Sequence, residues 1–123
     1  NLTQHAPTPA QVAEGVGPTD PVVQALLTFA ILPTSAEIAD RAVKLAEIAK
    51  TSGAVQAMVG GAPYLMASLE RALISVGVQP LYSFTVRQAT ETVQPDGTVK
   101  KMQIFEHAGW VCRMQRPIWP QGD

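Results

Sequence analysis

The run Ala54-Val55-Gln56-Ala57-Met58-Val59 meets Gly60-Gly61-Ala62-Pro63-Tyr64, so an uncharged apolar segment ends in a glycine pair and then a helix start. Adjacent glycines let the backbone turn sharply and approach a ligand with no side chain in between. Pro63 has the fixed φ and the missing N–H that suit a first helical position. The free amides of such a helix start, at the positive end of its dipole, make a ready anion site. Open parallel sheets bind their ligands, often phosphorylated ones, at strand-to-helix turns of this kind. The same residues also make a tight turn that binds nothing, and the local sequence does not separate the two readings.

Two further polar groups belong beside this turn if their strands run parallel to it. Thr3, Gln4 and His5 follow a short first strand, and Ser83, Thr85, Arg87 and Gln88 lie along a third. With Gly60, Gly61 and Tyr64 they offer hydrogen-bond donors, one cation and an aromatic face, the equipment for a phosphate and a base. His5 is the residue suited to proton transfer near neutrality. Each has a plainer role as well. His5 can be an ordinary surface or core histidine, Tyr64 can pack on its helix, and Arg87 can pair with Glu91 or Glu106. His107, on the returning strand, reads as structural, and Lys100-Lys101 as a solvated hairpin edge. Arg113 and Arg116 in the tail could clamp an anion. Gly-x-Ser-x-Gly, Gly-Lys-Ser/Thr, His-Glu-x-x-His and Cys-x-x-Cys motifs are all missing from the sequence. Metal chemistry and a bound cofactor are therefore not expected.

The elements that must position these residues follow from caps and periodicity. Thr8-Pro9-Ala10-Gln11 starts a short helix ending near Glu14-Gly15, and Thr19 or Asp20 with Pro21 starts another through Leu27. Thr34-Ser35-Ala36-Glu37 is a capping box, followed by Ile38, Ala42, Leu45 and Ala49 on one helical face until Ser52-Gly53. A buried strand over 54–59 leads to a helix over 62–76 with Leu65, Met66, Leu69, Leu73 and Ile74 apolar and Gly77 as its stop. A strand over 78–92, a turn at Gln94-Pro95-Asp96-Gly97 and a partner strand over 99–111 form a hairpin, and 113–123 reads as irregular. This order predicts a single α/β domain, a small Rossmann-like three-layer sandwich. Its sheet is expected to be mostly parallel, with an antiparallel C-terminal strand.

Composition bounds the function. The 123 residues suit one core, and 46% hydrophobic against 15% charged residues indicates a packed globule. A net charge of −1 argues against a binder of long nucleic acid. Cys112 is the sole cysteine, which excludes an internal disulfide. With no long apolar run and no signal peptide, a cytosolic protein away from membranes is expected. The sequence opens at Asn1 without a methionine, so the first strand is expected to be short by a residue or two.

The opening Asn1-Leu2-Thr3-Gln4-His5, the Gly60-Gly61 turn before a long apolar helix, and Phe105-Glu106-His107-Ala108-Gly109-Trp110-Val111 resemble the small CRISPR-associated Rossmann-like proteins. These include the compact ring nucleases of cyclic oligoadenylate second messengers. The resemblance implies a homodimer with two sheet edges facing each other across a two-fold axis and a cyclic tetra-adenylate between them. It also implies metal-independent attack of a ribose 2′-hydroxyl on the adjacent phosphate, which would switch off antiviral signalling. The Gly60 and Gly61 amides and Arg87 would hold phosphate, and His5 would move the proton. Thr3, Gln4, Ser83 and Gln88 would position ribose and base. A cyclic-nucleotide sponge or sensor fits the same residues. A protein-interaction module docking through the sheet edge or through Trp110, Ile118 and Trp119 stays open too.

Overall fold

The computed structural model describes residues 1–112, Phe105 by its backbone only. Helix α1 spans Pro9–Ala13, where Thr8 Oγ1 accepts from the Gln11 amide at 3.2 Å and Gln11 Oε1 accepts from the Thr8 amide at 3.0 Å. Helix α2 spans Pro21–Leu27, capped by Asp20 on the Val22 amide at 2.7 Å. Helix α3 spans Ser35–Thr51, and Thr34 Oγ1 accepts from the Glu37 amide at 3.1 Å. The expected capping box forms only in this half. The Glu37 carboxylate is instead held 2.9 Å from Arg41 one turn on. Arg41 also donates to the carbonyls of Leu26 and Thr28, closing the end of α2 where carbonyls lack helical partners.

Strand β1 spans Gln56–Met58, helix α4 Pro63–Ser75, strand β2 Gln79–Val93 and strand β3 Val99–Cys112, with sheet order β1-β2-β3. β1 runs parallel to β2 in the register Gln56↔Gln79 to Met58↔Leu81. β2 and β3 are antiparallel from Leu81↔Cys112 to Val93↔Val99. The expected first strand is reduced to one parallel bridge, Leu2↔Val59, with the Leu2 amide donating to the Met58 carbonyl at 2.8 Å. The fold is thus mixed α/β around an open sheet. Its parallel pairing is confined to the β1 side, where β1 meets the first residues of β2, and antiparallel pairing of β2 with β3 takes most of its length, so the expected mostly parallel sheet does not form.

The core joins Leu65, Leu69 and Leu73 of α4, spaced by four on one face, to Ala42, Leu45, Ala46 and Ala49 of α3. Alanines on α3 let the two helices approach closely, and all three α4 leucines are fully buried. Replacing one by alanine should cost about 2–5 kcal/mol. Successive residues of a strand face opposite sides. Tyr82 reaches Glu70 of α4 at 2.6 Å, while Ser83 meets Gln11 of α1 at 3.2 Å, so α4 and α1 lie on opposite faces of β2. Past Ser83 the two strands leave the body as a long arm, on which Phe84, Met102 and Ile104 stay about half exposed. No helix among the described residues is long and apolar enough to cross a membrane.

Candidate functional site

β1 runs out at Val59, whose amide donates to the Leu81 carbonyl at 2.9 Å, and the chain then turns through Gly60-Gly61 into α4. Gly61 has φ 149°, a conformation that side chains rarely adopt. A Cβ on Gly60 would sit 3.4 Å from Thr3 Cγ2, so the Leu2 segment comes right up against the turn. Ala62 provides no side-chain cap for α4. Pro63 has no N–H and the Leu65 amide donates to the Ala62 carbonyl at 3.0 Å, so Tyr64 supplies the first-turn amide that faces solvent or an anion.

Thr3 is buried beside the turn, but its hydroxyl is committed to Asn1 Oδ1 at 2.7 Å and to the His5 carbonyl at 3.3 Å. It therefore shapes the loop and offers the turn a methyl group. Gln4 donates to Thr28 Oγ1 at 2.8 Å, tying the N-terminal loop to the end of α2. His5 is exposed on the same loop. Tyr64, in the first turn of α4, meets Phe29 edge-on at 5.3 Å, and the Arg41 guanidinium stacks 4.2 Å above the Phe29 ring. Beside them Ile31, Leu32 and Ile38 complete an apolar hollow of about 420 Å³. Thr3, Gly60, Gly61 and Tyr64 therefore converge at one edge of the sheet, with Gln4 and His5 on the adjoining loop.

Ser83, Thr85, Arg87 and Gln88 are distributed differently. Ser83 stands at the root of the arm, but Arg87 lies four residues further out, opposite Phe105, which is roughly 13 Å at strand rise. Gln88, opposite Ile104, is further still, and both are exposed. The arm thus carries these residues away from the glycine turn. Arg113 and Arg116, with Ile118 and Trp119, lie outside the described residues.

Ser83 belongs to a second polar cluster. Its hydroxyl is 2.6 Å from His107 Nδ1 and accepts from Gln11 Nε2 at 3.2 Å. Because Gln11 Oε1 is taken by the Thr8 amide, the Gln11 nitrogen points at both Ser83 and His107, where it lies 3.5 Å from Nδ1. Donors thus converge on Nδ1. With Nδ1 accepting from these donors, the ring proton is assigned to Nε2. That nitrogen is buried, 3.5 Å from Glu14 Oε2 yet without a hydrogen bond. Glu14 accepts instead from Trp110 Nε1, and the Trp110 ring lies 4.5 Å from His107. Gln11 and Glu14 are not site residues in the sequence reading, Trp110 enters it only as a docking residue, and His107 reads as structural. Gly109 inside a strand was the available signal, since such glycines mark bulges. The cluster sets a hydroxyl, an imidazole and a carboxylate side by side, but without a hydrogen bond from Nε2 to Glu14 it is not a continuous proton relay. Neither Ser83 nor His107 lines the apolar hollow beside Tyr64, and among the described residues their neighbours are the sheet and α1.

A larger cleft, about 700 Å³, lies elsewhere, between the α1–α2 loop and the starts of β1 and β2, with Gln56, Gln79, Trp110 and Cys112 in its wall. It opens at the end of the parallel strands opposite the glycine turn. Size favours this cleft, while topology favours the turn, where strand ends and a helix N-terminus converge. We place the candidate site at the turn because the uncapped start of α4 and the aromatic hollow are both there. Among the described residues no group of three His, Cys, Asp or Glu side chains could hold a metal ion.

No curated protein and no solved structure matches the chain. Residues 1–111, both polar clusters included, match the family described as "Uncharacterized protein MJ1673 family", and the chain belongs to that family.

Proposed function

We propose that this chain binds a cyclic oligoadenylate, cyclic tetra-adenylate in the first instance, at the glycine-turn edge and opens the ring without a metal. The reading rests on one conjunction: an uncapped α4 start behind Gly60-Gly61, with the Phe29–Tyr64 hollow beside it. A phosphate suits the start of α4 and an adenine suits the aromatic hollow, which share Tyr64. The reading includes a Rossmann-like arrangement of the layers and a cytosolic protein that ends antiviral signalling.

In the reaction, a ribose 2′-hydroxyl attacks the adjacent phosphorus and the 5′-oxygen leaves. The product is linear, with a 2′,3′-cyclic phosphate at one end and a 5′-hydroxyl at the other. The chain's share is to align the nucleophile and hold charge on the phosphate. The Gly60 and Gly61 backbone takes the reacting phosphate, and His5 moves the proton. Arg87, out on the arm, serves a more distant phosphate of the ring. Thr3 shapes the loop, while Gln4, Ser83, Thr85 and Gln88 flank the ring. Binding without cleavage is the second reading, favoured by the separation of Arg87 from the turn along β2.

The test incubates the protein with cyclic tri-, tetra- and hexa-adenylate in EDTA and separates the products by chromatography, with calorimetry for binding. Conversion lost in His5→Ala and Arg87→Ala supports the nuclease, and binding with the ring recovered intact supports the sponge. No binding to any ring refutes both. Stoichiometry reads the assembly: one ring per two chains if shared across a two-fold axis, one per chain if each edge holds its own.

A further inference from the structure

We propose that β3 is a self-pairing edge, through which two copies of this chain join as antiparallel neighbours about a two-fold axis at Gln103. β1 accompanies β2 only as far as Leu81, so beyond Ser83 the arm is a two-stranded ribbon among the described residues. Such ribbons are marginal in water and gain most from a third strand.

Backbone parity shows what β3 offers. Gln94 N–H donates to the Thr98 carbonyl at 2.7 Å, so bonded pairs of the arm recur at Thr92↔Lys100, Thr90↔Met102, Gln88↔Ile104 and Val86↔Glu106. The odd residues of β2 agree, since Gln79 N–H and the Leu81 carbonyl turn the other way, to the β1 segment. Val99, Lys101, Gln103 and Phe105 therefore turn their N–H and C=O groups outward, an edge unpaired among the described residues and ready for another strand.

Three independent features select the same centre and a second copy as the occupant. Regular pairing of β3 runs from Val99 after the turn to His107, where the bulge breaks it, and the midpoint is Gln103. A two-fold there sets Lys100 opposite Glu106 of the second copy and Met102 opposite its Ile104, each pair occurring twice. Opposite charges thus bracket a central apolar group whose members are now half exposed. Gln103 faces itself as an outward-bonding pair, and Lys101 and Phe105 bond each other's backbones on either side. Neighbouring registers do worse. A centre on Lys101 opposes like charges, one on Met102 sets Lys100 against Ile104, and one on Ile104 sets Met102 against Glu106.

The interface is independent of the nucleotide reading. Centred on Gln103, it holds the two arm roots roughly 45 Å apart at strand rise, so each copy would bind its own ring.

Sedimentation equilibrium of the full chain should give about 26 kDa, twice the 13.1 kDa of one chain. Glu106→Lys should weaken dimerisation by roughly tenfold or more, because two like-charge pairs replace two opposite ones. Lys100→Glu combined with Glu106→Lys should restore it. Gln103→Cys in a Cys112→Ser background should cross-link on mild oxidation, since directly bonded strand neighbours stand about 5.5 Å apart at Cα, within disulfide reach. Far-UV circular dichroism checks that each variant is folded. A native chain that stays monomeric overturns the proposal, as does cross-linking through Ala89→Cys on β2 in place of Gln103→Cys. So does a folded Glu106→Lys that dimerises unchanged.

Discussion

The Ser83–His107 contact can be tested by a double-mutant cycle. The His107 side chain is only 3% exposed and receives the Ser83 hydroxyl at 2.6 Å, with Gln11 Nε2 behind it. His107→Ala leaves those donors without their acceptor, at about 1–3 kcal/mol. It also removes the ring packed on Trp110, worth about 0.5–1.5 kcal/mol. We expect a loss near 3 kcal/mol, a large share of a stability that totals about 5–15 kcal/mol in such domains. Ser83→Ala should cost only about 1–2 kcal/mol, because Gln11 stands ready to supply Nδ1. The two losses share one hydrogen bond, so the double variant should fall short of their sum by about 1 kcal/mol. Urea unfolding followed by far-UV circular dichroism measures all four corners. Additivity within about 0.3 kcal/mol would refute the bond as an energetic unit. A His107→Ala loss below about 1 kcal/mol would show that the cluster does not pin α1 to the arm.

The glycine turn gives a contrasting pair. Gly61→Ala should cost about 1–3 kcal/mol through its backbone alone, since the added Cβ meets Leu27 and Met66 at an ordinary 3.6 Å. Gly60→Ala should leave the melting temperature nearly unchanged, because its Cβ meets only the Thr3 side chain, with Cγ2 at an ordinary 3.4 Å; thermal unfolding of the two variants reads the contrast. Arg41→Ala should lose about 2–3 kcal/mol in thermal unfolding. It removes charge-assisted bonds to the end of α2 and the stack on Phe29, and Arg41→Lys should recover less than half of that. Hydrogen bonds from the Thr98 hydroxyl and amide hold the Asp96 carboxyl below its usual range. A carboxyl lowered by folding adds stability above its ordinary pKa and loses it as pH falls through the lowered value. The arm's turn should therefore loosen only in acid, with the Thr98 amide resonance tracking the Asp96 carboxyl, and an Asp96→Asn turn should show no such step.

Much of the fold was readable because local signals agreed with one another. Thr8, Asp20 and Thr34 all cap as their types and the prolines after Thr8 and Asp20 indicate, and Leu65, Leu69 and Leu73 mark the buried side of α4. What misled was distance along the chain. Glu37 has the spacing of a capping-box partner, yet Arg41 outbids the Thr34 amide because a guanidinium bond is charge-assisted. The alternation that marks a strand in 78–92 says nothing of where its neighbours end. Thr85, Arg87 and Gln88 fell in with the sheet edge on sequence, although β1 stops at Met58 and the hairpin carries them outward. The glycine turn was legible because a strand, two glycines and a proline are all local; its aromatic wall was not, since Phe29 arrives from the α2–α3 loop.

The His107 cluster was hidden for a sharper reason. In a regular strand, residues three apart face opposite sides, so His107 and Trp110 should be separated by the sheet. The register runs Phe84↔Gly109 and then Thr85↔His107, which leaves Ala108 unpaired. That one extra residue brings Trp110 onto the face that His107 shares with Ser83, and Gly109 takes φ 147° beside it. Only then can Trp110 pack on the imidazole and draw away the Glu14 carboxylate that Nε2 would otherwise use. The bulge thus does two jobs. It assembles the polar cluster at the arm's root, and it ends the regular edge whose midpoint is Gln103. Sequence reasoning that carries an even period through Gly109 loses both together.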